Sequence, residues 1–433
     1  MSDPRSSIFE EPKHVAVLRR LRLIQPAHRP QALRRVLIAV AAAWIPLAVL
    51  CAIQALASGH DELLRAFCTD VAVHARFLLA VPILILSEYI ILPRLDQTAQ
   101  HFLTSKMIDE SDQARFDEAV ASTRRLSLGV WPSATMTFIV YAFVITIALT
   151  IQQSIQPIWF YTPNSTHRSL AGWWHMLISL PLLLGLLLSW VWRVYVWMRF
   201  LRQVSHMGLH LVASHPDKAA GLLFVAFSPR MFTPLALAIG IIIAGTFANE
   251  VFHLGLNPLE HPATPLATAA VVVVIFLTPP LVFGRILLIA WRRGIFEYGA
   301  LASRLGTQFE QKWLNPGSVV DTESLERPDF SSTTDLYSVT ANVYAMRPVL
   351  FDARAALALA IATLLPFAPV FLTVIPAKVI LTQLLKLVVR GRHTRPPRDA
   401  AVPSDKERAH RQMTGYAHAQ NACQEPQDFC SWA

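Results

Sequence analysis

Among the ionisable side chains inside apolar blocks of this chain, six stand out: His74, Arg76 and Glu88 in one block, Glu250 and His253 in another, and Arg285 in a third. A charge in hydrocarbon is costly unless it is paired or hydrated, so such residues mark ion bridges, solute sites or proton paths. With a helical rise of about 1.5 Å per residue, Glu88 and Arg285 fall about 10 Å to one side of the membrane midplane. By the same reckoning Glu250, His74 and Arg76 fall about 12 Å to the other side. Two pairings are expected: Glu88 with Arg285 in one layer, and Arg76 or His74 with Glu250 in the other. These layers would be either ion bridges that fix helix order or a polar path for an ion, a proton or a small solute.

A second constellation lies outside the blocks, in SHPDKAAGLLF (Ser214 to Phe224). His215, Asp217 and Lys218 follow or flank Pro216, and such a group either caps the backbone of a turn or serves as a gate or headgroup contact. His-Pro-Asp-Lys looks like the signature loop of J-domain co-chaperones, but Gly221 leads within a few residues to an apolar block, which a soluble helical hairpin would not have. The chain carries no GxxxxGK[ST], HExxH or GxSxG pattern. Its histidines are scattered and none forms a pair at metal-ligand spacing within an apolar block, so neither a metal nor a cofactor is expected. Cys51, Cys68, Cys423 and Cys430 form no metal or redox motif and read as reduced thiols.

The elements that must position these residues are membrane helices. Of 433 residues 54% are hydrophobic and 15% charged, against roughly 25% charged in an ordinary soluble domain. The apolar residues gather in blocks of about 20, the length that crosses a bilayer core. Six spans are expected, at 36–57, 71–93, 130–152, 173–195, 231–253 and 266–290; the first reads as a retained signal anchor. Each must be helical, because backbone polar groups in lipid have to be satisfied within the segment. The last apolar region, 355–389, is too long for one span and contains Pro366, Pro369 and Pro376. Its LLPFAPVF can turn a chain, which predicts a hydrophobic hairpin of two short spans or a re-entrant pair. The fold class is therefore all-α, a polytopic transmembrane bundle of six spans plus this C-terminal hairpin.

Charge sets the expected orientation. With the N-terminus inside, the inner segments up to residue 354 hold 25 Lys or Arg and the outer loops hold Arg65 and Arg168 alone. Nine further basic residues between Lys378 and Arg411 stay inside if 355–389 is a hairpin. The organisation that follows is a basic N-terminal segment (1–35), transmembrane hairpins at 36–93, 130–195 and 231–290, and the hydrophobic hairpin at 355–389. Between them come cytoplasmic helical segments (94–129 and 291–354) and a connector with the His-Pro-Asp-Lys turn (196–230), followed by a disordered tail (390–433). Tryptophans 159, 173, 174, 190, 192 and 197 gather around the fourth span, where interfacial belts are the expectation. Gly240, Ala244 and Ala248 form a small-residue stripe suited to close helix packing, with self-association as the other reading.

Three stretches, AGWWHMLISLPLLLGLLLSWVWR (Ala171 to Arg193), SHPDKAAGLLF and FEYGALASRLGTQFEQKW (Phe296 to Trp313), together resemble a family of hypothetical proteobacterial integral membrane proteins. The resemblance runs from about the second span to the final hairpin. It implies a multi-pass protein of a bacterial inner membrane and carries no activity. Three functions stand as expectations: a transporter or channel-like protein for a small solute or ion, a non-catalytic scaffold or sensor, and a lipid-modifying enzyme built on His215, Asp217 and Glu297. The net charge of +9 sits beside the apolar blocks. It therefore implies anionic lipid headgroups on the cytoplasmic face of the bilayer, and not nucleic acid, as partners. A homo-oligomer is also open.

Overall fold

A computed structural model describes residues 29–59, 61–150, 157–162, 167–314 and 329–374. Among these, all regular structure is helical, apart from two isolated bridge pairs, and the chain is a multi-pass membrane bundle. Six helices are long and apolar enough to cross a membrane: α1 (Arg29–Ser58, apolar from Gln31), α3 (Val71–Thr104), α5 (Val130–Thr150), α6 (Leu170–Ser205), α7 (Leu223–Leu254) and α11 (Ala353–Thr373). A seventh crossing is split into α8 (Ala263–Leu277) and α9 (Gly284–Trp313), which bend by 42° across the 3₁₀ turn Pro279–Phe283. The cause is Pro279 with Pro280: neither can donate into the helical ladder, and both rings crowd the preceding turn. Shorter helices α2 (Asp61–Cys68), α4 (Gln113–Leu128) and α10 (Asp329–Tyr344) lie between the crossings.

The crossings alternate in direction. At one end, His210 N donates to Met107 O (2.8 Å) and Arg347 N to Lys218 O (2.8 Å), while Ser214 and Tyr298 hydroxyls meet at 3.2 Å. At the other end, Trp159 bonds Asp70 and His253 reaches Thr69. We call the first, which gathers most of the Lys and Arg, the basic end, and the second the far end.

Glycine decides which helices touch most closely. On α7 a Cβ at Gly240 would collide with the Thr363 carbonyl of α11, and one at Gly245 would lie 2.8 Å from the Ala75 Cβ of α3. With Ala244 and Ala248 buried beside Phe247, Phe367 and Val370, the small-residue stripe is used for packing inside the bundle. α7 is thus wedged between α3 and α11 at backbone distance, a geometry only small residues permit. The opposite case is α5, where only Val140 and Val144 are buried and Phe138, Ile145 and Leu149 face outward, as a peripheral lipid-facing helix must.

LLPFAPVF does not turn the chain. It passes as a single 3₁₀ turn, Leu365–Phe367, inside a helix that continues to the far end, where Phe367 and Phe371 pack on Phe247. A proline inside a bundle costs one ladder bond and bends the helix; neighbouring helices hold it in line. The first arm of the expected hairpin is therefore a full crossing, and the return arm lies outside the described residues.

Candidate functional site

At the far end, two crossings are broken in the same way. Asp70 and Ser169 each cap a helical start, accepting from Val73 N (3.1 Å) and Gly172 N (2.8 Å). Twelve residues after each cap stands a proline, Pro82 or Pro181. Lacking an N–H, and with a ring that crowds the carbonyl four residues back, each proline forces the turn before it to widen. The result is a π-helical stretch in both, Ala75–Ala80 in α3 and His175–Ser179 in α6, closed by Val81 N–H to Arg76 O and Leu180 N–H to His175 O. The Leu177 carbonyl, left without the donor that Pro181 lacks, accepts from Tyr141 Oη of α5 (3.2 Å). Such π-turns concentrate at functional sites. Arg76 and His175 occupy equivalent positions, six residues after their caps, and the Phe77 ring lies 5.8 Å from that of His175.

Around these two residues lies a buried polar cluster. The Asp70 carboxylate, 3% exposed, also accepts from Trp159 Nε1 (3.0 Å) and Asn249 Nδ2 (2.7 Å), so one side chain joins α3, α7 and the segment before α6. Arg76 donates to Thr246 Oγ1 (2.8 Å), and the charge of Asp70 acts on it. His175 is 3% exposed, its ring set edge-on to Phe77, Trp159 and Phe160, and its Nδ1 has no partner among the described residues. His74 differs. It accepts from Trp44 Nε1 on Nδ1 (3.0 Å) and its Nε2 donates to Phe67 O (3.1 Å), which fixes a neutral ring with the proton on Nε2.

The expected far-end pairing with Glu250 is not formed. Glu250 is half-buried and makes no ion pair among the described residues. His253 is exposed and bonds Asn249 O and Thr69 Oγ1. Arg76 makes no direct ion pair with a described residue; its bonded partner is Thr246, and the carboxylate of this cluster is Asp70, which sits one residue before the helix and reads in the sequence as a loop carboxylate.

The inner pairing is replaced as well. Glu88, 6% exposed, is gripped by Arg35 of α1 (2.9 Å) and Arg193 of α6 (2.8 Å). Arg35 also donates to Tyr89 Oη, and Arg193 stacks over Trp190 at 4.9 Å. Arg285 is exposed on α9 and makes no ion pair among the described residues. Depth along the axis matched it to Glu88, but Glu88 is buried between Arg35 and Arg193 while Arg285 is exposed, and Arg35 and Arg193 read in the sequence as ordinary flanking cations.

The tryptophans are not chiefly a belt. Trp159, Trp190 and Trp197 are at most 3% exposed. The indole N–H of Trp190 donates to Leu84 O and that of Trp174 to Ala42 O, so these rings fasten α6 to α3 and α1. Only Trp173 of the group is largely exposed, at 51%.

At the basic end the His-Pro-Asp-Lys turn winds around one carboxylate. Asp217 accepts from the backbone N–H of Ala219, Gly221 and Leu223 at 2.8–3.2 Å, and His215 Nδ1 lies 2.8 Å from it. Burial pushes this carboxyl up, but the three N–H donors and His215 outweigh it and hold Asp217 below its ordinary range. Closing so tight a loop requires positive φ at Lys218 (59°), Ala220 (54°) and Gly221 (94°). No metal-holding group of His, Cys, Asp or Glu occurs among the described residues.

Comparison of the chain with protein-family profiles, curated proteins and solved structures finds no match.

Proposed function

We propose that this is a bacterial inner-membrane transporter or channel-like protein for a small solute or ion, which enters at the far-end cluster around Arg76 and His175. One observation carries the reading: the buried polar residues of the far end coincide with the π-turns of α3 and α6. Irregular helices lining a polar pocket are how membrane bundles present groups to a solute. The Arg35–Glu88–Arg193 bridge then bars the path at the basic end. The positive-inside count supports a cytoplasmic basic end, and the resemblance to hypothetical proteobacterial membrane proteins supports the location.

The test is flux. The full chain is reconstituted in phosphatidylethanolamine–phosphatidylglycerol vesicles loaded with a pH-sensitive dye. Gradients of sodium, potassium, chloride, phosphate and acetate are then applied in turn. At least one gradient should dissipate faster than in protein-free vesicles, and Arg76→Gln should remove that excess. Rates equal to protein-free vesicles for every gradient would overturn the proposal. They would favour instead a scaffold or sensor, the reading that the closed bridge at Glu88 supports on its own.

A further inference from the structure

The turn around Asp217 does more than close itself. Because its carboxylate is consumed by three backbone N–H groups, the loop presents its next side chain, Lys218, outward. The Lys218 carbonyl accepts the Arg347 N–H at 2.8 Å, which pins the segment before α11 against the loop. Lys218 and Arg347, from distant parts of the chain, thereby line one cavity of about 200 Å³ together with Asp217, whose carboxylate is taken up by the backbone, and with Leu223, Ala226, Leu350 and Phe351. Neither Lys218 nor Arg347 makes an ion pair with a described residue, and both are exposed. Two cations on one cavity, neither paired with a described residue, repel, and a shared anion relieves that.

The position of the cavity identifies the anion. Leu223 opens α7 and Phe351 stands two residues before α11, so the cavity lies where both crossings leave the apolar layer. Beside the two charges, Val349 and Phe351 are each 52% exposed. Charge at headgroup depth with apolar surface next to it matches a phospholipid: phosphate at the cations and acyl chain over the aromatic rim.

We infer that Lys218 and Arg347 hold the phosphate of an anionic phospholipid at the basic end of the bundle. The site is independent of the far-end cluster and of the flux reading. The same phosphate chemistry could reach it from a soluble phosphate, so the experiment separates the two sources. The full chain in neutral detergent is titrated with short-chain phosphatidylglycerol, phosphatidylcholine or inorganic phosphate, with thermal unfolding and native mass spectrometry as readouts.

Phosphatidylglycerol should raise the melting temperature and remain bound, and phosphatidylcholine should do neither. Each basic residue near the surface contributes about a fivefold factor, so Lys218→Gln should weaken binding about fivefold and Lys218→Gln/Arg347→Gln about thirtyfold. Arg292→Gln/Arg304→Gln, which removes exposed cations elsewhere on the same end, should leave it unchanged. If the double variant fails to fold, the single Lys218→Gln decides. Equal binding of both lipids, an unchanged affinity in Lys218→Gln, or an equal loss in the control variant would each overturn the inference. Competition by millimolar inorganic phosphate with the same stabilisation would overturn the lipid assignment in favour of a soluble phosphate.

Discussion

Glu88→Gln is the substitution whose cost the structure fixes most closely. The carboxylate neutralises two arginines that are themselves 13% and 10% exposed at the side chain. At an effective dielectric of about 20, each contact near 4 Å between charge centres is worth about 4 kcal/mol, or about 8 kcal/mol gross for the pair. A glutamine amide can still accept on its single oxygen, returning about 1 kcal/mol, while its NH2 group faces the other guanidinium. Arg35, close to the basic end, can also swing its head toward water. The net loss expected is about 3–5 kcal/mol, the usual cost of stranding buried charge. Arg193→Met should cost less, about 1–3 kcal/mol, because it leaves a balanced Arg35–Glu88 pair and a side chain that still packs on Trp190. Equilibrium unfolding in mixed maltoside and dodecyl sulfate micelles, followed by circular dichroism, measures both. The reasoning is refuted if Glu88→Gln lies within about 1 kcal/mol of the parent, or if Arg193→Met proves the more damaging of the two.

Three further outcomes follow from named contacts. Gly240→Ala should destabilise the bundle by about 1–3 kcal/mol, although alanine is the better helix former, because its Cβ would meet the Thr363 carbonyl; the same micellar unfolding reads it, and Gly185→Ala, with nothing within 4 Å, should be harmless. Tyr141→Phe should cost about 1 kcal/mol in the parent by stranding the Leu177 carbonyl, and nearly nothing in Pro181→Ala, where an N–H is restored; a double-mutant cycle without coupling would sink the account of the π-turn. Asp217, held below the ordinary 3.8, contributes stability that is complete above that value and is lost as pH falls through its folded pKa. Amide exchange at Ala219 and Gly221, corrected for intrinsic rates, should therefore accelerate below about pH 4 in the parent and show no such step in Asp217→Asn.

Much of the architecture is written in composition, because a crossing helix needs about 20 apolar residues and little else to declare itself. The small-residue stripe at Gly240 was equally legible, since spacing of four fixes a face. What the pattern hides is rotation. Glu88 and Arg285 share a depth, but axial position says nothing of azimuth, and an apolar block with little amphipathicity offers no phase to read. Span boundaries hide partners for a related reason. Asp70, Arg35 and Arg193 stand where a helix leaves the apolar layer, and there a charged residue has an ordinary explanation that conceals its bond. The prolines mislead in the opposite direction: Pro366 suggests a turn, yet packing against α7 carries the helix through it, while Pro82 and Pro181 look unremarkable and each widens a helix beside a polar cluster.

The spacing of the two polar layers limits how any solute could cross. Along α3 the twelve residues from Arg76 to Glu88 cover about 18 Å. The side chains between them on the buried face, Phe77, Ala80, Val81, Leu84 and Ile85, are at most 4% exposed, and the nearest hydroxyl, Ser87, is spent on Ile83 O. A fixed wet pore along this seam would require those side chains to be parted, and a packed interior resists that. Passage would have to be a rearrangement, and the two π-turns are where α3 and α6 have already given up the regular ladder that makes a helix stiff. Their sharing of one end places the irregular turns next to Arg76 and His175, while Trp190, bonded to Leu84 O, ties the same two helices together toward the Glu88 bridge. On the proposed transport function, the opening would therefore start at the end where the ladder is already interrupted, and it would have to release the Asp70 and Trp174 bonds that hold that end.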